Sequence, residues 1–88
     1  GPSATNDLER LDAVVYPNPA SDIVTMALAD RTIEALRVMD ITGKTIPVSA
    51  IINQGTATID IGNLSSGLYL LEVTGIDFIS TARVSVKR

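Results

Sequence analysis

The 88-residue chain contains no cysteine, no histidine and no tryptophan. Without cysteine there is no disulfide framework, no thiolate zinc site and no cysteine nucleophile. The same absence leaves both reducing and oxidising compartments open. Without histidine, the usual general base and the commonest metal ligand are missing. The aromatic residues are Tyr16, Tyr69 and Phe78. So few aromatics speak against a sugar-stacking platform and against stacking on single-stranded bases. Basic residues are also scarce, 7 against 10 acidic, for a net charge of -3. That balance disfavours non-specific binding to phosphate backbones. No run approaches the roughly 18 apolar residues of a membrane-spanning helix, and no signal peptide is visible.

What is present is a globular composition, 45% hydrophobic and 19% charged. At this length the chain is one domain, because either half alone would bury too little core. Gly1-Pro2 reads as the scar of a cleaved tag, so the expectation is a piece of a longer protein. Residues 3–12 are polar and lack strand periodicity. Asn6 followed by Glu9 is a weak helix-start box. The preferred reading makes residues 1–12 a tag scar and a linker from an upstream domain.

From Ala13 onward the pattern has a period of two. Runs of Val, Ile, Leu and Thr alternate with turn residues at about 8–12-residue spacing, the pattern of an all-β sandwich or barrel. The runs predict strands over Ala13–Tyr16, Asp22–Leu28, Ala35–Asp40, Thr45–Ile51, Thr56–Ile61, Leu68–Thr74 and Ile79–Val86. That is seven, the strand number of a constant-type immunoglobulin-like β-sandwich, so a seven-stranded immunoglobulin-like β-sandwich is expected. No apolar stripe at helical spacing persists between the breakers.

Alternation also assigns faces. Val24, Met26 and Leu28 point inward, as do Ala57, Ile59 and Ile61, then Tyr69, Leu71 and Val73, then Ala82, Val84 and Val86. Thr81, Arg83, Ser85 and Lys87 then face water. A slip by one residue would bury Arg83 and Lys87, so this register is well specified. The predicted core is Val24, Leu36, Val38, Ile59, Ile61, Leu64, Tyr69, Leu71, Val73, Val84 and Val86. Ile23, Met39, Leu68 and Leu70 fall on nominal outer faces. They read as scattered surface residues, with a docking patch as the alternative.

The turns carry most of the local information. Tyr16-Pro17-Asn18-Pro19 holds two residues that cannot donate to a ladder, and reads as a stiff crossing between sheets. In Asp40-Ile41-Thr42-Gly43-Lys44, the Asp40 carboxylate can accept N–H groups two and three residues on, and Gly43 supplies positive φ. A calcium loop would need further oxygen ligands at short spacing, and they are missing. Asn53-Gln54-Gly55 is a second turn, with Gly55 assigned the left-handed position. In Leu64-Ser65-Ser66-Gly67-Leu68-Tyr69, a Leu, a Gly and then a Tyr entering a core strand match a tyrosine corner. There the hydroxyl bonds back to the backbone a few residues upstream.

Ser65 and Ser66 have no activating base, and no carboxylate pair is fixed near a cleft, so the reading is a non-enzyme with no cofactor and no metal. The chain closes with Arg83, Lys87 and Arg88. These charges read either as guards of an edge strand or as a recognition end, since an edge strand can also add to a partner's sheet. Lys87 and Arg88 are expected to be solvent-facing or terminal, so removing them should cost about 0.5 kcal/mol or less.

Taken together the motifs resemble a known family. Val15-Tyr16-Pro17-Asn18-Pro19-Ala20-Ser21-Asp22 is similar to the opening of the type A C-terminal sorting domain of the type IX (Por) secretion system of Bacteroidetes. Val38-Met39-Asp40-Ile41-Thr42-Gly43-Lys44 follows in the family's order, then Ile59-Asp60-Ile61, then Leu64 to Val73 with Gly67 and Tyr69, then the basic finish from Arg83 to Arg88. The resemblance covers residues 13–88 and marks them as a C-terminal sorting domain behind an upstream cargo domain. It implies a signal that carries attached cargo through the periplasm to the outer-membrane translocon and its shuttle barrel protein, and on to the cell surface or beyond. It also implies that a sortase-like cysteine peptidase can remove the domain and join the cargo to anionic lipopolysaccharide. The cut would fall within Ser3–Asp12. Arg83, Lys87 and Arg88 correspond to the family's recognition end. Two other readings of the residues stay open: a passive immunoglobulin-like adhesion or spacer module, and a glycan-binding accessory module, the latter disfavoured by the missing tryptophan.

Overall fold

Branched apolar side chains at every second position give a strand one dry face, which must be buried against another layer. In the computed structural model, which describes residues 9–88, these residues form nine strands and no helix. The strands are β1 (Glu9–Arg10), β2 (Val14–Tyr16), β3 (Ile23–Ala27), β4 (Ala35–Asp40), β5 (Thr45–Ile46), β6 (Ser49–Asn53), β7 (Thr56–Asp60), β8 (Gly67–Thr74) and β9 (Phe78–Val86). One sheet has five strands in the order β1-β9-β8-β4-β5, the other four in the order β2-β3-β7-β6. Pairing is antiparallel except between β1 and β9, where Glu9 and Arg10 lie parallel to Phe78 and Ile79.

The two sheets share one core. Val24, Met26, Ala57 and Ile59 come from the four-stranded sheet, and Val38, Tyr69, Leu71, Val73, Phe78, Val84 and Val86 from the other. Each large aliphatic side chain buried in this way stabilises the fold by about 1.5–3 kcal/mol. The inward sets expected on β3, β7, β8 and β9 are found, with Ala82 partly buried against the core.

The strand number differs from the seven expected, and two local causes make it nine. Pro47 interrupts the run Thr45–Ile51. It has no N–H to donate, so the ladder stops, and β5 and β6 end up in different sheets. β1 arises in residues read from sequence as a linker. Leu11 N donates to Ile79 O at 3.1 Å, and the buried Ser80 hydroxyl donates to Leu11 O at 2.7 Å. The helix-start box proposed at Asn6 lies outside the described residues, as does the tag scar.

The core list also needs correction. Leu36 is only half-buried, because β5 pairs with Val38 and Met39 and stops short of it. Met39, assigned to the surface, is buried between Leu70 and Thr45 on the neighbouring strands. Ile23 and Leu68 are exposed and Leu70 is intermediate. Phe78, left out of the predicted core, is 2% exposed.

The turns behave differently from one another. Gly43 has φ +89°, as its position requires. At the β6–β7 hairpin the positive φ belongs to Gln54, at 55°, and not to Gly55. Gly55 is needed for a different reason: a Cβ there would lie 2.6 Å from Leu28 O and 2.7 Å from Arg31 O. The connection after β3 packs directly onto this turn, with Leu28 N donating to Gly55 O and Ile33 N to Gln54 O.

Candidate functional site

The candidate recognition residues lie on β9 or directly after it. Arg83 is exposed and pairs in register with Leu70 of β8. Ser85 is exposed, Val84 and Val86 are buried, and Lys87 is exposed. The alternation that predicted Arg83 and Lys87 in water is therefore found.

β9 was expected to present an edge, but most of that edge is already occupied. At its start, Glu9 N donates to Asp77 O and Leu11 N to Ile79 O, both at 3.1 Å. At its end, Ala20 lies parallel to Val86, with Ala20 N donating to Ser85 O and Lys87 N donating to Ala20 O, each at 2.8 Å. Between these, Asn18 replaces a strand with its side chain. Ser85 N donates to Asn18 Oδ1 at 3.0 Å, and Asn18 Nδ2 donates to Arg83 O at 3.4 Å. A side-chain amide has one acceptor and one donor side, the same pair that a peptide group offers. The two proline peptide bonds of this segment, Tyr16-Pro17 and Asn18-Pro19, are cis. Tyr16, Pro17 and Pro19 are exposed, and Ala20 behind them is buried.

Arg88 is not a free terminal charge. Its Nε donates to Leu64 O at 2.9 Å and its Nη2 to the same oxygen at 2.7 Å. Its guanidinium also donates to Ser21 O and Ile61 O, and its backbone N donates to Ser66 Oγ at 3.0 Å. Asp22 Oδ1 lies 3.8 Å from Nη1. A planar fork of donors suits several carbonyls in one plane, a geometry that a lysine ammonium cannot copy. Arg88 therefore ties the chain end to the turn between β7 and β8 and to the segment before β3.

That turn holds the tyrosine corner. Tyr69 is buried, and its hydroxyl donates to Ser65 O at 2.8 Å. Leu64 is buried beside it, and Gly67 opens β8 opposite Val86. Arg88 and Tyr69 thus act on carbonyls of neighbouring residues, Leu64 and Ser65, in one turn.

Residues 14–87 match the family model described as the secretion system C-terminal sorting domain. The chain belongs to this family. No curated protein matches it. The matched span runs from the first residue of β2 to the residue after β9, so it takes in the whole of the four-stranded sheet and every strand of the other sheet but β1.

The remaining motif residues of the sorting domain are local. Asp40 Oδ1 accepts from Thr42 Oγ1 at 2.5 Å, Thr42 N at 2.9 Å and Lys44 N at 3.1 Å. These bonds, led by the Thr42 hydroxyl, hold its carboxyl below the usual range. With Gly43 N donating to Asp40 O, they close the β4–β5 turn. The structure keeps this turn and the Arg88 cluster as separate groups of hydrogen bonds. Sequence reasoning missed the Asn18 clamp, though an asparagine between two prolines was its visible trace. The contacts of Arg88 left no trace in the local pattern.

Proposed function

We propose that residues 13–88 are a folded export signal that directs attached cargo through the outer-membrane type IX translocon to the cell surface. The observation that carries this reading is the extent of the family match, which spans nearly the whole two-sheet body and not a short tail. A signal of that kind is recognised as a surface, and the surface here gathers at the end of β9. Arg83 and Lys87 are the exposed charges that a translocon component or its shuttle barrel can meet, while Arg88 positions the chain end. Transit through the periplasm and removal by a sortase-like cysteine peptidase belong to the same reading. A cut before Glu9 would release the domain with β1 still paired.

We read the body as an immunoglobulin-like sandwich. In support, renaming β2, β3, β4, β5, β6, β7, β8 and β9 as A, B, C, C′, D, E, F and G gives sheets A-B-E-D and G-F-C-C′. The tyrosine corner then sits at the E–F connection, its usual place.

The test fuses residues 9–88 behind a signal peptide and a neutral passenger in a host with the secretion system. Surface passenger is compared among the intact domain, Arg83→Ala and Lys87→Ala, with a melting curve of each. Export by the intact domain, reduced by either substitution at unchanged stability, is the expected result. Passenger retained in the periplasm with the intact domain overturns the sorting role and leaves a spacer module.

A further inference from the structure

Sheet edges are sites of unwanted pairing, and folded proteins guard them with short strands, charges or proline. Three edges here are guarded. β1 is two residues long and both are charged, β5 is two residues long and runs into Pro47, and β2 is three residues long and runs into Pro17. The fourth, β6, is not. It is five residues long, reads Ser-Ala-Ile-Ile-Asn, and has neither charge nor proline. Its one strand neighbour is β7, and among the described residues nothing pairs with its other side.

Both side-chain rows of β6 are open, and each carries an isoleucine: Ile51 between Ser49 and Asn53 on one, Ile52 beside Ala50 on the other. Ile51, on the outer face beside Thr58, is 73% exposed. Ala50 and Ile52, on the other row, line a groove with Leu36, Ile46 and Val48. Ile52 is itself 38% exposed.

We propose that β6 is a strand-addition site for an extended segment of a partner protein, aliphatic on both faces at its centre and basic near the end beside Ser49. The unpaired backbone row selects an extended strand, because neither a helix nor a lipid offers groups at strand spacing. Ile51 on one row, and Ala50 with Ile52 on the other, select aliphatic side chains at the centre of the added strand on both faces. The charge follows from register. Ser49 lies opposite Asp60, whose exposed carboxylate borders the outer-face groove with Asp22. An added strand lies about 10 Å from β7, two strand spacings away, and a long basic side chain leaning over the small Ser49 spans that distance. This site goes beyond the export reading and does not depend on it, since its residues are on β6 and not on β9.

The probe is a capped peptide with a five-residue valine-isoleucine centre and two lysines at each end, with a glutamate-ended version as control. Amide NMR titration of the chain follows shifts and exchange protection. Saturable shifts and new protection concentrated in residues 49–53 are the expected result. Binding should weaken by about fivefold or more with the glutamate peptide at low salt, and by a similar factor for Ile51→Lys, whose side chain already faces water. Ile52→Lys serves as the second variant, and a melting curve confirms that each is folded. Asp60→Asn should remove the preference for lysine. The proposal is overturned by an absence of saturable shifts in residues 49–53, by shifts centred on β9, or by equal binding of both peptides. Self-association of the chain through β6 without peptide would also overturn it, making a second copy the occupant.

Discussion

Arg88 closes on Leu64: its Nε lies 2.9 Å and its Nη2 2.7 Å from the Leu64 carbonyl oxygen. This contact joins residues 24 positions apart, and it makes the chain end part of the fold. The side chain is 32% exposed, so its contribution is reduced by water. Arg88→Ala is expected to lower unfolding free energy by about 1–2 kcal/mol, and Lys87→Ala by about 0.5 kcal/mol or less. Denaturant melts of the two variants measure the difference. An Arg88→Ala midpoint equal to that of the parent chain would remove the clasp. Loss of export in this variant must accordingly be read against its stability.

Tyr69→Phe should cost about 1 kcal/mol, because it leaves the part-buried Ser65 carbonyl without the hydroxyl that donates to it. The ring still fills its place, so the fold is retained. Equilibrium denaturation checks the size, and an unchanged midpoint would show that the corner is not a stabilising element.

Gly55→Ala and Gly43→Ala test two different demands on glycine. At Gly55 the added methyl meets the backbone oxygens of Leu28 and Arg31, which cannot swing aside like a side chain. The expected cost is about 1–3 kcal/mol or more, the range for overpacking. At Gly43 nothing lies within 4 Å of the added carbon, and the strain of φ +89° alone remains. About 1 kcal/mol is expected there. A thermal melt that ranks Gly43→Ala as the more harmful would contradict the packing argument.

Removing residues 1–11 strips β1 from β9 and leaves the buried Ser80 hydroxyl without Leu11 O. The truncated chain should be less stable by about 1–3 kcal/mol, the cost of an unpaired buried polar group. Ser80→Ala in the truncated chain should restore part of that loss. Equal stability of the chain with and without residues 1–11 would place the domain start at Ala13.

Much of the architecture was legible because strand alternation is a local property. The faces of β3, β7, β8 and β9 follow from residues two apart, and burial of Val24, Ile59, Leu71 and Val84 needs only that each strand has one dry side. The Asp40 and Tyr69 turns were legible for the same reason, since their partners lie within four residues along the chain. Gly55 was misread because its spacing permits a left-handed turn, whereas its actual constraint comes from Leu28 and Arg31.

By itself, the amino-acid sequence determined the all-β class, the inward faces and the family, since each rests on short-range pattern. Only the tertiary structure decided which edges are closed. β1 and Asn18 cover β9, Arg88 folds back onto Leu64 and Ser21, and β6 is left unpaired. Those outcomes depend on backbone groups brought together from distant parts of the chain. Every residue but proline carries the same N–H and C=O, so the side-chain pattern does not record which of them will meet.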